Sequence, residues 1–435
     1  MRAAWEFAPV SPFELATLFL TIVAVGAWLN ARTARLPHGV AMLFVGMAGA
    51  LAILVLEAVR PDLAAGVVSA VRQFDFARTV LGYMLGFLLF AGAMQVDLTE
   101  LRRQRLSVWT LATLGVVAST VIVGAGLWAA GQALGLELPL PWALVFGALV
   151  SPTDPIAVLA TVRHGRLSKR LQVILQGEAL FNDGVGIVVF AALLAYATGA
   201  APDPGAALGR VVIESAGGLL IGGVGGWIVL RAMRGVDDFV VEVAMTVALA
   251  MVSYAGAQAL HLSGAIAAVG AGLLIGDGRN RNVSSPETET YLRSFWTLVD
   301  EILNALLFLL LGLELLILPL EWRLVGVCAA AIVLVLATRF AVVLPWAVYL
   351  RLRKEQPGVS LILAWGGLHG ALSVALALSV PEGPHRPLIL AAAYAVAAFS
   401  VAVQGLTFEP LTRMLSRRGG KGQVSGSDAR SASNR

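Results

Sequence analysis

The sequence predicts an all-α polytopic membrane protein with about 13 transmembrane helices. Three observations carry that class. Of 435 residues, 58% are apolar and only 13% charged, about half the charge of an ordinary soluble domain. Apolar stretches long enough for a bilayer core about 30 Å thick, which takes about 20 residues per helix, recur along nearly the whole chain. The 46 glycines follow no G-X-Y period and suit close helix packing and interrupted spans.

Taken in order, apolar windows place spans at roughly 12-30, 38-57, 79-96, 107-131, 142-162, 171-199, 208-230, 239-259, 261-276, 297-318, 323-350, 359-380 and 387-409. The ninth is short. An odd count puts the termini on opposite sides of the membrane. Of the 31 basic residues, 23 follow odd-numbered spans or lie in the C-terminal tail and seven follow even-numbered ones or precede the first. That asymmetry predicts an external N-terminus and a cytoplasmic C-terminus in the inner (plasma) membrane. The net charge of +4 is spread over these short clusters, so the basic residues read as topology signals, and no nucleic acid is expected as a partner.

The first residues lack a strongly basic start and a small-residue cleavage site, and read as a retained helix rather than a signal peptide. The connection from Gly276 to Ser294 is the longest polar cytoplasmic loop expected. Residues 1-418 read as one transmembrane domain and 419-435, rich in Gly and Ser, as a mobile cytoplasmic tail. The single cysteine, Cys328, sits in an apolar run, which excludes an internal disulfide framework or a multi-cysteine metal cage. His38, His164, His261 and His385 fall at helix ends without metal-ligand spacing.

Function is expected where charge stands in lipid, because an ionisable group at a span centre costs about 2.5–3.5 kcal/mol on insertion scales. Asp154, Glu178, Asp183 and Arg339 are the strongest cases, with Glu301 and Glu314 in or near the tenth span. Asp97 and Glu214 read as helix-end residues. Asp154 lies in SPTDPIAVLA between Pro152 and Pro155. Pro155 donates no backbone hydrogen bond and disfavours helix at the residue before it, so the fifth span should break there. Freed carbonyls, the carboxylate and the Thr153 hydroxyl then make an oxygen-rich site for a small cation. The competing reading is a proline kink with Asp154 as a cap.

In the sixth span, QGEALFNDGVGIVVF, Glu178 and Asn182 are four residues apart and share a face, whereas Asp183 points about 140° away from Glu178. One acid is then free to bind cation and proton while the other is neutralised. Arg339, deep in the eleventh span, is the natural partner for Glu178, and the pair reads as structural. In the twelfth span, AWGGLHGALSVAL, glycines around His369 predict a second interruption. The fifth and twelfth spans run in opposite directions, as inverted repeats with two crossed unwound helices require. For His369, hydrogen-bonded packing and a proton-linked or gating role both stand open.

These motifs resemble the cation:proton antiporter superfamily, in particular sodium/proton antiporters of the NhaP/NHE type. SPTDPIAVLA, GEALFNDGVG, the intramembrane TRF and GGLHGALS before Pro381 carry the resemblance over residues 150-381. It implies an NhaA/NhaP-like fold and a homodimer with core and dimerisation subdomains. It further implies a cation site of Asp183, Asp154 and the Thr153 carbonyl, supported by the Glu178–Arg339 pair. The Asn182–Asp183 pair implies electroneutral exchange. No cofactor is implied; the transported ions are Na+ (or Li+/K+) and H+. Two positions depart from the pattern: Ala179 where relatives commonly carry Ser, and His369 where many carry Arg.

The expectation is therefore a secondary transporter, not an enzyme, in which Na+ and H+ compete for Asp183 with Asp154. The alternatives are a K+/H+ antiporter on the same ligands and, of another class, a passive cation channel or sensor. No nucleophile–base spacing at membrane depth suggests a hydrolase. A GxxxxGK[ST] string for nucleotide-driven pumping is absent.

Overall fold

A computed structural model describes residues 12–62, 75–154, 168–200, 204–277, 285–316, 318, 322–352 and 358–415. Among these, nine helices are long and apolar enough to cross a membrane. They are Phe13–Arg32, His38–Val59, Phe76–Gln95, Arg105–Ala133, Lys169–Ala197, Gly209–Met233, Phe239–Ala259, Trp322–Tyr349 and Arg386–Leu415. Shorter apolar helices at Leu140–Leu149 and Gly264–Gly276, the helix Pro286–Leu313 and the broken pair Val359–Trp365 and Ala371–Leu378 account for the other expected spans. Every expected span thus carries helix, and ordinal numbers are kept for them. Pro155, His164 and the tail 419–435 lie outside the described residues.

Boundaries differ from expectation where capping chemistry outweighs hydropathy. The tenth span starts at Pro286, about three turns before its apolar run. Ser285 caps it by accepting from the Thr288 N–H at 3.3 Å, proline occupies its first turn, and Glu287 and Glu289 complement the positive helix end. Much of the expected Gly276 to Ser294 loop is therefore helix. The seventh span starts at Pro204, so Glu214 stands well inside a helix and not at its end. After the third span Asp97 caps a short helix, Leu98–Arg103, accepting from the N–H groups of Thr99 and Glu100.

The spans pack in two groups. Spans four, five, six, eleven, twelve and thirteen form one contact group and spans one, two, three, seven, eight, nine and ten another, and the two meet where the sixth span packs on the seventh and ninth and the twelfth on the third. The ninth span is buried nearly all round, which explains how a 13-residue helix can pass through the protein interior without meeting lipid. Trp296, 1% exposed, fastens the tenth span to the third and the eighth: its ring lies 4.6 Å from that of Phe90, and its Nε1–H donates to Thr246 Oγ1 of the eighth span at 3.0 Å.

Candidate functional site

The fifth span stops at Leu149 and the chain runs extended through Pro152, Thr153 and Asp154. The twelfth stops at Trp365 and resumes at Ala371. The two gaps cross: the Asp154 N–H donates to the Leu368 carbonyl at 2.7 Å in an antiparallel bridge. Backbone groups freed by the breaks are costly at membrane depth unless protein satisfies them. Here the His369 N–H donates to Ser400 Oγ at 3.0 Å, Gln404 Nε2 donates to the Trp365 carbonyl at 3.4 Å, and Ser400 donates to Gln404 Oε1. Ser400–Gln404 is a π-helical turn in the thirteenth span, a distortion often found at functional positions.

Glycine lets the crossing segments meet. A Cβ on Gly370 would stand 2.6 Å from Asp154 Oδ2, and one on Gly367 would collide with the Arg339 guanidinium. Behind the crossing, Arg339 makes a bidentate pair with Glu178, the Nη2–Oε2 contact at 2.9 Å, and its Nη2 also donates to the Leu363 carbonyl at 3.3 Å. Both residues are buried, Glu178 at 1% and Arg339 at 8% exposure. Such a pair removes a net charge from the interior, and loss of either partner would leave the other uncompensated.

The opposite face of the sixth span looks into a cavity of about 110 Å³. Thr153 and Asp154 from the fifth span, Asp183 and Ala179 from the sixth, and Gly370 and Ser373 from the twelfth line it on one side. Spans three and ten form the other side, with Gln95, Asp300 and Asn304 among the lining residues. The volume admits an ion with a few waters. Asn182 is not in the lining; its Nδ2 donates to Thr153 Oγ1 at 2.8 Å and ties the sixth span to the unwound segment. The two sixth-span acids thus face different surroundings, one a guanidinium and the other a cavity.

A sequence profile of the family described as "Sodium/hydrogen exchanger, transmembrane" matches residues 19–414. The chain belongs to the sodium/hydrogen exchanger family. Within that family it is similar to the Na(+)/H(+) antiporter NhaP of Pseudomonas aeruginosa, at 40% identity over 92% of this chain and 96% of the relative. It is similar also to the antiporter NhaH of Halobacillus dabanensis, at 34% identity over 92% and 96%. Its fold matches the sodium proton antiporter MjNhaP1 of Methanocaldococcus jannaschii with a TM-score of 0.68 and 18% identity, covering 93% of this chain and 98% of that one. The all-helical antiporter fold with crossed unwound spans follows.

Two further residues mark this exchanger. His369 is 4% exposed, and its Nδ1 lies 3.1 Å from the Pro152 carbonyl, so the imidazole bridges one broken span to the other. Ser373 is 1% exposed, and among the described residues its hydroxyl has no hydrogen-bond partner although it borders the cavity. Sequence reasoning missed Ser373, Gln95, Asp300 and Asn304. A signal for the tenth span existed: Asp300, Asn304 and Leu307 recur at helical spacing on one face, yet the adjacent Glu301 obscured which acid faces inward.

Proposed function

We propose that this exchanger swaps Na+ for H+ at Asp183 with Asp154, one ligand at a time, and that the loaded site alternates between the two membrane faces. The observation that carries the reading is that Asp154 and Asp183 line one cavity beside two crossed unwound spans, while Glu178, the other sixth-span acid, is neutralised by Arg339. Carboxylates and backbone carbonyls are the ligands a small hard cation prefers, and the Thr153 carbonyl is the third expected donor. Na+ or a proton each removes charge from the site. An empty, ionised site is costly to carry past an apolar gate, which couples the fluxes without ATP. The identity of the antiporters at 40% and 34% supports the same ions.

The finer parts of the reading rest on similarity and on the sequence. A single cavity-facing acid next to Asn182 favours electroneutral exchange. The bias of basic residues favours a plasma-membrane protein with an external N-terminus and a cytoplasmic C-terminus. The two packing groups favour a core that moves against a dimerisation domain in a homodimer. The deciding measurement is dequenching of a pH dye in proteoliposomes as Na+, Li+ and K+ are added in turn. Na+-driven proton movement that Asp183→Asn abolishes supports the assignment. Full activity in that variant overturns it, K+ preference favours a K+/H+ antiporter, and cation flux without proton movement a channel.

A further inference from the structure

The cavity holds one carboxyl group more than the exchange site uses. Among the described residues its lining includes three aspartates, Asp154, Asp183 and Asp300, and no Lys, Arg or His. Asp300 stands on the tenth span, in the wall formed by the second packing group, across from the crossing. Among the described residues it has no salt-bridge partner. Its carboxylate is held by two amides: Asn304 Nδ2 donates to Oδ1 at 3.0 Å and Gln95 Nε2 to Oδ2 at 3.4 Å. A carboxylate accepting from both fixes the amide orientations, since only the nitrogens donate. The carbonyl oxygens of Gln95 and Asn304 then carry no hydrogen bond of their own among the described residues, and all three side chains border the cavity. One turn before Asp300, Trp296 packs the helix against span three.

We propose that Asp300, with the amide oxygens of Gln95 and Asn304, is a second cation station: it receives a partly hydrated monovalent cation and hands it across the cavity to Asp183. The station rests on the exchange reading above and adds to it a fixed wall that concentrates cations without travelling with the site. A charge-lined cleft with low-dielectric walls raises local counter-ion concentration and capture rate. Removing such a charge acts mainly on capture, not on the subsequent conformational step. An acid with no basic partner in a membrane interior calls for a neutralising ligand, and oxygen donors on a carboxylate-bearing wall suit a monovalent cation.

The test uses full-length protein in proteoliposomes, with Na+ as the probe. Asp300→Asn is expected to raise KM for Na+ by about fivefold or more, with Vmax within about twofold. Asp300→Glu should recover part of the loss. Raising ionic strength with choline chloride should raise the wild-type KM by more than that of Asp300→Asn, because the variant has one charge fewer to screen. An unchanged KM, or a fall in Vmax alone, overturns the station and makes Asp300 a packing or gating group. Should Asp300→Asn not fold, Gln95→Ala and Asn304→Ala carry the test: raised KM supports the station, unaltered KM overturns it. Asp183→Asn in parallel separates the two ideas. If it abolishes exchange while the Asp300 variants behave as wild type, only the station fails; if exchange survives it, the underlying reading fails.

Discussion

The Asp154 N–H and the Leu368 carbonyl meet at 2.7 Å, and that one bond joins two helix breaks more than 200 residues apart in sequence. It fixes Asp154 to the crossing point by its backbone, leaving the carboxylate to face the cavity next to Gly370.

That geometry makes Gly370 sensitive to any side chain. An added Cβ would lie 2.6 Å from Asp154 Oδ2 and 3.3 Å from its Cβ, so the crossing must open. Gly370→Ala is expected to lower exchange by about tenfold or more, as displacements near 1 Å do at organised sites. Dye dequenching in proteoliposomes, with size-exclusion elution as the check on folding, measures it.

The Glu178–Arg339 pair acts through stability. Glu178→Gln or Arg339→Ala leaves a buried charge unmatched and is expected to cost about 3–5 kcal/mol. Replacing both with Leu and Met should cost less than either single change, since no charge is then stranded. Thermal unfolding of purified protein in detergent reads all three. A double variant weaker than both singles would show that the pair also contributes specific packing.

Ser373 offers the cavity a hydroxyl that no other described residue satisfies, near a wall where Ala179 has none. Ser373→Ala is expected to raise KM for Na+ by about three- to tenfold, the value of one good oxygen ligand or hydrogen bond. Adding Ala179→Ser should restore part of the affinity. Rates at varied Na+ test both changes, and an unchanged KM in Ser373→Ala would make the hydroxyl a spectator.

At the membrane edge, Lys169 Nζ lies 2.8 Å from Asp97 Oδ2. The hydrogen bond from Lys169, and after it the capping N–H of Glu100, hold the Asp97 carboxyl below its usual range. A depressed acid stabilises the folded state above its unfolded pKa of about 3.9, and that stability is lost as pH falls through the folded value. Because the lysine is exposed, solvent screening keeps the contribution small. Asp97→Asn should therefore lower the melting temperature slightly at pH 7, and the difference should shrink below pH 4 and in 1 M salt.

Much of the molecule was legible in the residues. The spans follow from runs of apolar sequence, and the breaks from Pro152 and Pro155 on either side of Asp154 and from Gly366, Gly367 and Gly370. The divergence of Glu178 from Asp183 follows from the angle of 100° per residue. Other features were not legible. The start at Pro286 depends on capping that hydropathy windows do not register. The inward turn of Asp300 depends on rotation of the tenth span against the third, set by Trp296 and Phe90.

Sequence alone determined the membrane class, the order of the spans, where two of them break and which acids stand apart on one helix, because these are properties of short stretches and their periodicity. The crossing of the two breaks and the Glu178–Arg339 pair, both expected from the sequence, take their geometry from the tertiary structure, and it alone showed that a wall bearing Asp300 shares the cavity of Asp183. Periodicity gives each helix a face but not the neighbour it meets; that is settled by close packing among segments far apart in the chain.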